Sequence, residues 1–107
     1  MFSVNHVVLV GRVSDEVKMF NGNVSFATFR MGIYGGKNKD GKAIYNNATV
    51  KCFKGLADDV YENIKKGSDV IVTGTFTSGS YKNKKGETVY TTDVVANNVG
   101  IALGGNE

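Results

Sequence analysis

Alternation of apolar and polar positions dominates this chain. Residues 24–33 set Ala27, Phe29, Met31 and Ile33 on one face and Phe26, Thr28, Arg30 and Gly32 on the other, the period-two pattern of a strand with one buried side. Residues 46–54 repeat it, with Ala48, Val50 and Cys52 towards a core and Asn47, Thr49, Lys51 and Phe53 away from it. Residues 69–77 set Val70, Val72, Gly74 and Phe76 against Ile71, Thr73, Thr75 and Thr77. Residues 88–99 set Tyr90, Thr92, Val94 and Ala96 against Val89, Thr91 and Val95. Residues 5–13, NHVVLVGRV, are apolar on both sides, which predicts burial of both faces. In a small barrel only another element or another subunit can bury the outer one. Gly11 within this run predicts a bend or bulge, and His6 and Arg12 read as strand-end or interface packing.

One stretch has a different period. In residues 53–74, Leu56, Val60 and Ile64 recur every four residues as a single apolar stripe, which predicts a helix over 56–66. Asp58 and Asp59 would lie in its first turn and Lys65 and Lys66 in its last, complementing the helix dipole. Gly67 would supply a left-handed C-terminal cap. Residues 14–23 read as a polar connection with a turn at Asn21-Gly22-Asn23, and 34–45 and 78–87 as long hairpin loops. The order is three strands, a helix, then two strands. It predicts an all-β fold: a five-stranded OB-fold Greek-key barrel with one α-helix between strands three and four, the helical stripe plugging one end.

Composition narrows the function classes. A chain of 107 residues makes one domain, large enough to bury roughly 65% of its unfolded surface. Residues 1–103 are predicted to form it, with 104–107 a short frayed terminus. No apolar run approaches a membrane span and nothing resembles a signal peptide. The lone Cys52 excludes an internal disulfide framework and fits a reducing compartment. One His, one Cys and unclustered carboxylates argue against a zinc site, and neither metal nor cofactor is expected. No enzyme is expected either. His6 has no nucleophile beside it, Cys52 alternates with core residues, Asp58 and Asp59 suit the helix dipole, and no glycine-rich phosphate loop is present. The net charge of +3 is mild, so its location matters more than its total.

That location is informative. The two hairpins carry Lys37, Lys39 and Lys42, and Lys82, Lys84 and Lys85, against Asp40 and Glu87 alone. Tyr34, Tyr45, Tyr81 and Tyr90 lie in or beside them, and Phe53 sits on an otherwise polar strand face. Ammonium groups neutralise phosphates while flat rings stack on unpaired bases, at roughly 1–3 kcal/mol each. Stacking ignores base identity, and a duplex has no free base faces, so the pattern predicts single-strand binding without sequence choice. The candidate interface comprises Arg30, Tyr34, Lys37, Lys39, Lys42, Tyr45, Asn47, Thr49, Lys51, Phe53, Tyr81, Lys82, Lys84 and Lys85.

At these residues the chain resembles a known family. Val4 through Arg12 resembles the opening strand of bacterial-type single-stranded-DNA-binding proteins, and Phe53 through Ser68, with Leu56-Ala57 and Lys65-Lys66-Gly67-Ser68, their strand–helix–strand segment. Val72-Thr73-Gly74 and Tyr90-Thr91-Thr92-Asp93-Val94-Val95 resemble the last two strands, so the likeness spans residues 4–99. The resemblance implies an OB-fold homotetramer that wraps single-stranded DNA in replication, recombination and repair, in the cytoplasm of a bacterial cell or a phage-infected host. It assigns base stacking to Phe53 and Tyr81. Two tryptophans usual in some members are absent; Tyr34 or Tyr45 stands for the first, and Asn47 falls near the second. Members usually continue into a glycine-rich tail with an acidic tip that recruits other replication proteins. With the sequence ending at Glu107, either a truncated chain or a compact phage- or plasmid-type member is implied. The alternatives are a tail-less primosomal replication protein, which generally lacks the helix, and an OB domain acting only in protein assembly.

Overall fold

The structure, a computed structural model, describes residues 3–102. The expectation for 104–107 lies outside the described residues. The order is β1 (Val7–Val13), β2 (Lys18–Phe20), β3 (Phe26–Lys37), β4 (Ala43–Phe53), α1 (Lys54–Asn63), β5 (Asp69–Lys82) and β6 (Thr88–Ile101). The strands run β1-β5-β6-β4-β3-β2 around the sheet, and β1 also pairs with β3, closing a barrel. This is the expected OB-fold arrangement with one strand more. The polar connection 14–23 contains β2, whose Lys18, Met19 and Phe20 pair with Thr28, Ala27 and Phe26 of β3. Its three residues carry too little alternation to be seen in sequence, and pairing with β3 alone makes it a strand. The helix accordingly follows the fourth strand; without β2 in the count, it follows the third.

The faces of 24–33 and 46–54 expected in the core turn inward, with Ile33 and Ala48 only partly buried. Ala27, Phe29, Met31, Val50, Cys52, Val70, Val72, Val94 and Ala96 turn inward and are buried with Val13, Ala57, Val60 and Ile64. Helix α1 contributes Ala57 and Val60 to this core, packing against β3, β4, β6 and β2 at one end of the barrel.

Its boundaries differ from the expected ones. The helix starts at Lys54, so Asp58 and Asp59 lie beyond the first turn, and it ends at Asn63, before Lys65 and Lys66. Neither terminal turn carries a dipole-complementing charge. Ile64 continues the apolar stripe in extended conformation, φ −104° and ψ 132°, because the core buries it whether or not the helix continues. Gly67 is left-handed, φ +92°, but serves the following turn, where its N–H donates to Val13 O (2.8 Å) while Ser68 O accepts from Val13 N–H (2.8 Å). These bonds tie the end of β1 to the segment entering β5.

Gly11 marks a close approach. The β1–β5 register runs without a shift from Val7↔Gly74 to Arg12↔Asp69, so there is no bulge. At Arg12↔Gly32 and Val13↔Met31 the same strand meets β3, and a Cβ on residue 11 would collide with the Gly32 carbonyl oxygen. Before the strand, Asn5 imitates a further pair: its Nδ2 donates to Phe76 O (2.8 Å) and its Oδ1 accepts from Phe76 N–H (2.7 Å).

Both long hairpins end in the same five-residue turn. Over 38–42 and 83–87, the Asn side chain accepts backbone N–H groups from Asp40 and Lys42, and from Lys85 and Glu87, respectively. Gly41 and Gly86 both take φ +80°, a left-handed angle that glycine adopts without a Cβ penalty. The expected loops are therefore mostly strand. Residues 34–37 and 43–45 remain paired across a register shift, and 78–82 pair with 88–92 without one.

Candidate nucleic-acid interface

The β3–β4 register turns two sets of alternating residues into one surface. Phe26 pairs with Phe53, Thr28 with Lys51, Arg30 with Thr49, Gly32 with Asn47 and Tyr34 with Tyr45. All lie opposite the buried Ala27, Phe29, Met31, Val50 and Cys52, and so on the outer face. At about 3.4 Å per residue this strip is roughly 27 Å long. Seven of the expected residues, Arg30, Tyr34, Tyr45, Asn47, Thr49, Lys51 and Phe53, share it. Tyr34 and Tyr45 meet edge to face at 6.0 Å. They wall an open cleft of about 850 Å³ whose rim includes Arg12, Asn47 and Lys66.

The lysines extend the strip at one end. Strands β4 and β6 are parallel, with Val50 beside Val94 and Lys51 beside Val95, so the hairpins preceding them leave the same end of the barrel. Lys37, Lys39 and Lys42 occupy one tip, and Lys82, Lys84 and Lys85 the other. Through Thr77↔Asp93 and Tyr81↔Val89, Tyr81 falls on the outer face with Lys51. Tyr90, opposite Ser80, falls on the other face of the same hairpin. Lys51 Nζ is 3.4 Å from Asp93 Oδ2, so its charge is partly balanced. Arg30 and the hairpin lysines make no ion pair among the described residues.

Two aromatics outside the expected set belong to this surface. Phe20 stacks on Phe26 (centroids 4.9 Å, 15°), and Phe26 lies against Phe53 (5.8 Å, 33°). Phe26 was legible as an outward residue, but Phe20 lay hidden in the supposed polar connection; the inward Met19 beside it is the only sequence signal. Phe76, which alternates in phase with Val70 and Val72, is 50% exposed. It lines a cleft of about 220 Å³ with Val7, Leu9 and Ala48.

Other candidate chemistry is absorbed by packing. Cys52 is fully buried, and burial pushes its thiol up to about 11, which disfavours the reactive thiolate. Arg12 Nε donates to Asp69 Oδ1 at 3.0 Å, and that hydrogen bond and charge raise the guanidinium pKa further. No group of three or more His, Cys, Asp or Glu side chains able to hold a metal occurs among the described residues. No helix among them is long and apolar enough to cross a membrane.

The chain is similar to the single-stranded DNA-binding protein of Streptococcus pneumoniae serotype 4, with 36% identity over 98 residues covering 89% of this chain and 63% of that protein. The protein of the same description from Streptococcus mutans serotype c is 32% identical over 98 residues, covering 89% of this chain and 60% of the relative. The chain thus spans about three-fifths of the length of these curated relatives. The fold is like that of a small single-stranded DNA-binding protein from Streptomyces coelicolor, with a TM-score of 0.75 at 20% identity over 92% of this chain and 94% of that one. Residues 4–102 match the single-strand binding protein family, and the chain belongs to that family.

Proposed function

We propose that this protein binds single-stranded DNA without sequence preference and protects it during replication, recombination and repair, in the cytoplasm of a bacterial cell or a phage-infected host. One observation carries the reading: aromatic and cationic side chains scattered over 30–53 fall on one outer face of β3–β4. Unpaired bases find ring faces at Phe53, Tyr34 and Tyr45, with Tyr81 on the adjoining hairpin. Phosphates find Arg30, Lys51 and the six hairpin lysines. The chemistry asks for no catalyst, so the protein acts by occupancy.

The expected measurement is a salt-dependent affinity for a poly-dT oligonucleotide. Each phosphate neutralised on a single strand contributes about −0.7 to the slope of log affinity against log salt. Changing Lys37, Lys39, Lys82 and Lys84 together to Ala should make the slope shallower by up to roughly 3, with the melting temperature nearly unchanged. An unaltered slope would mean that the hairpins are only solvated.

The same reading includes a homo-oligomer, with a tetramer as the expected size. Val8 and Val10 point outward from β1, 56% and 55% exposed, beside Ile71 of β5, and no element among the described residues covers them. Residues 7–11 of β1 also lack a strand partner on the side away from β5 among the described residues. An apolar strand with a free edge invites a second copy to pair. Light scattering should give a multiple of 11.5 kDa at micromolar concentration; a monomer there would rule the assembly out.

A further inference from the structure

The aromatic row on β2, β3 and β4 extends beyond what the fold requires. Phe20, Phe26 and Phe53 stand in register across three neighbouring strands. Phe26 is the covered middle ring, whereas Phe20 and Phe53 are 45% and 39% exposed at the two ends. A sheet edge is normally blunted with charge; here a three-residue edge strand presents a phenylalanine to solvent. Adjacent strands lie about 4.8 Å apart, so the two end rings are separated by roughly 10 Å. That is too far to grip one base, and each end leaves a ring surface open.

The neighbouring residues indicate what occupies the row. Next along the same face come Lys18, Thr28 and Lys51 in register, and then Arg30. Lys51 is held by Asp93, while Lys18 and Arg30 make no ion pair among the described residues. An apolar protein partner would have to desolvate these cations, whereas a strand with flat bases and a phosphate backbone satisfies both rows at once.

We propose that Phe20 is a second base-stacking position, and that a bound single strand runs from Phe53 on β4 across β3 to β2, with Phe26 supporting the Phe20 ring and Lys18 and Arg30 meeting phosphates. This rests on the single-strand-binding reading above and extends its path past the expected residues.

The test uses the full chain and labelled poly-dT. The sequence has no tryptophan, so Phe20→Trp introduces a single indole. Poly-dT should quench its fluorescence, with quenching complete at saturation. Phe20→Leu keeps an apolar contact with Phe26 but has no ring face, and should weaken binding by about tenfold at an unchanged melting temperature. An indole that poly-dT does not quench, or a Phe20→Leu variant that binds normally, would overturn the proposal and leave Phe20 a packing residue. Indole fluorescence that changes with protein concentration in the absence of DNA would also overturn it, in favour of self-association. Failure of the unsubstituted chain to bind poly-dT would instead overturn the functional reading itself, and is seen separately.

Discussion

Replacing Gly11 by Ala should lower the melting temperature by roughly 10–20 °C. The added methyl would point at the Gly32 carbonyl oxygen and the end of the Met31 side chain. The methionine can move, but the carbonyl belongs to the β3 backbone and cannot yield without shifting the strand. Such a shift opens the β1–β3 seam at Arg12↔Gly32 and Val13↔Met31, where Val13 and Met31 are core residues. Overpacking of this kind costs about 1–3 kcal/mol and occasionally more, and each kcal/mol moves the midpoint of a domain this size by roughly 4–8 °C. Gly22→Ala is the control, since nothing lies within 4 Å of its added Cβ. Thermal melts of the two variants decide the matter. Equal midpoints would show that the seam tolerates a side chain, and barrel closure would need another explanation.

Phe53→Ala should weaken poly-dT binding by about 1–3 kcal/mol, or roughly 5- to 150-fold. The ring lies on the outer face at the last position of β4, where the backbone is still extended, φ −120° and ψ 152°, as the N-cap of α1. Its only aromatic neighbour is Phe26 among the described residues, and more than a third of it remains exposed. Truncation should therefore cost well under the ~3–5 kcal/mol of a core phenylalanine. Phe53→Tyr should bind nearly normally, because the ring face survives and the hydroxyl can stay in water. Stability and affinity measured on one Phe53→Ala sample separate the roles. A large fall in melting temperature with affinity intact in the folded fraction would make Phe53 a structural residue.

Strand identity was legible wherever one face is buried, since alternation then reports the core directly. Residues 24–33 and 46–54 show this, and their faces follow from it. What alternation cannot report is register. Only pairing brings Arg30 beside Thr49 and Tyr34 beside Tyr45, and only pairing puts Phe20, Phe26 and Phe53 in one line. Short and protruding strands were obscure for a related reason. β2 and the outer arms of the hairpins are held by backbone hydrogen bonds, which need no apolar pattern. The helix end was misplaced because Ile64 is buried in extended conformation, so burial carried the stripe past the last helical turn. Phe76 shares the parity of the buried Val70 and Val72, yet it lines an open cleft with Val7 and Leu9 and is half exposed.

Anisotropy of a labelled poly-dT oligonucleotide, first titrated with the protein and then challenged with unlabelled competitors, tests the central claim most directly. The outer face offers rings to bases that are free to stack, so the signal should rise to saturation and be reversed by unlabelled poly-dT. A duplex of equal length should leave it nearly unchanged. No rise, or displacement by duplex as effective as by poly-dT, would contradict the account.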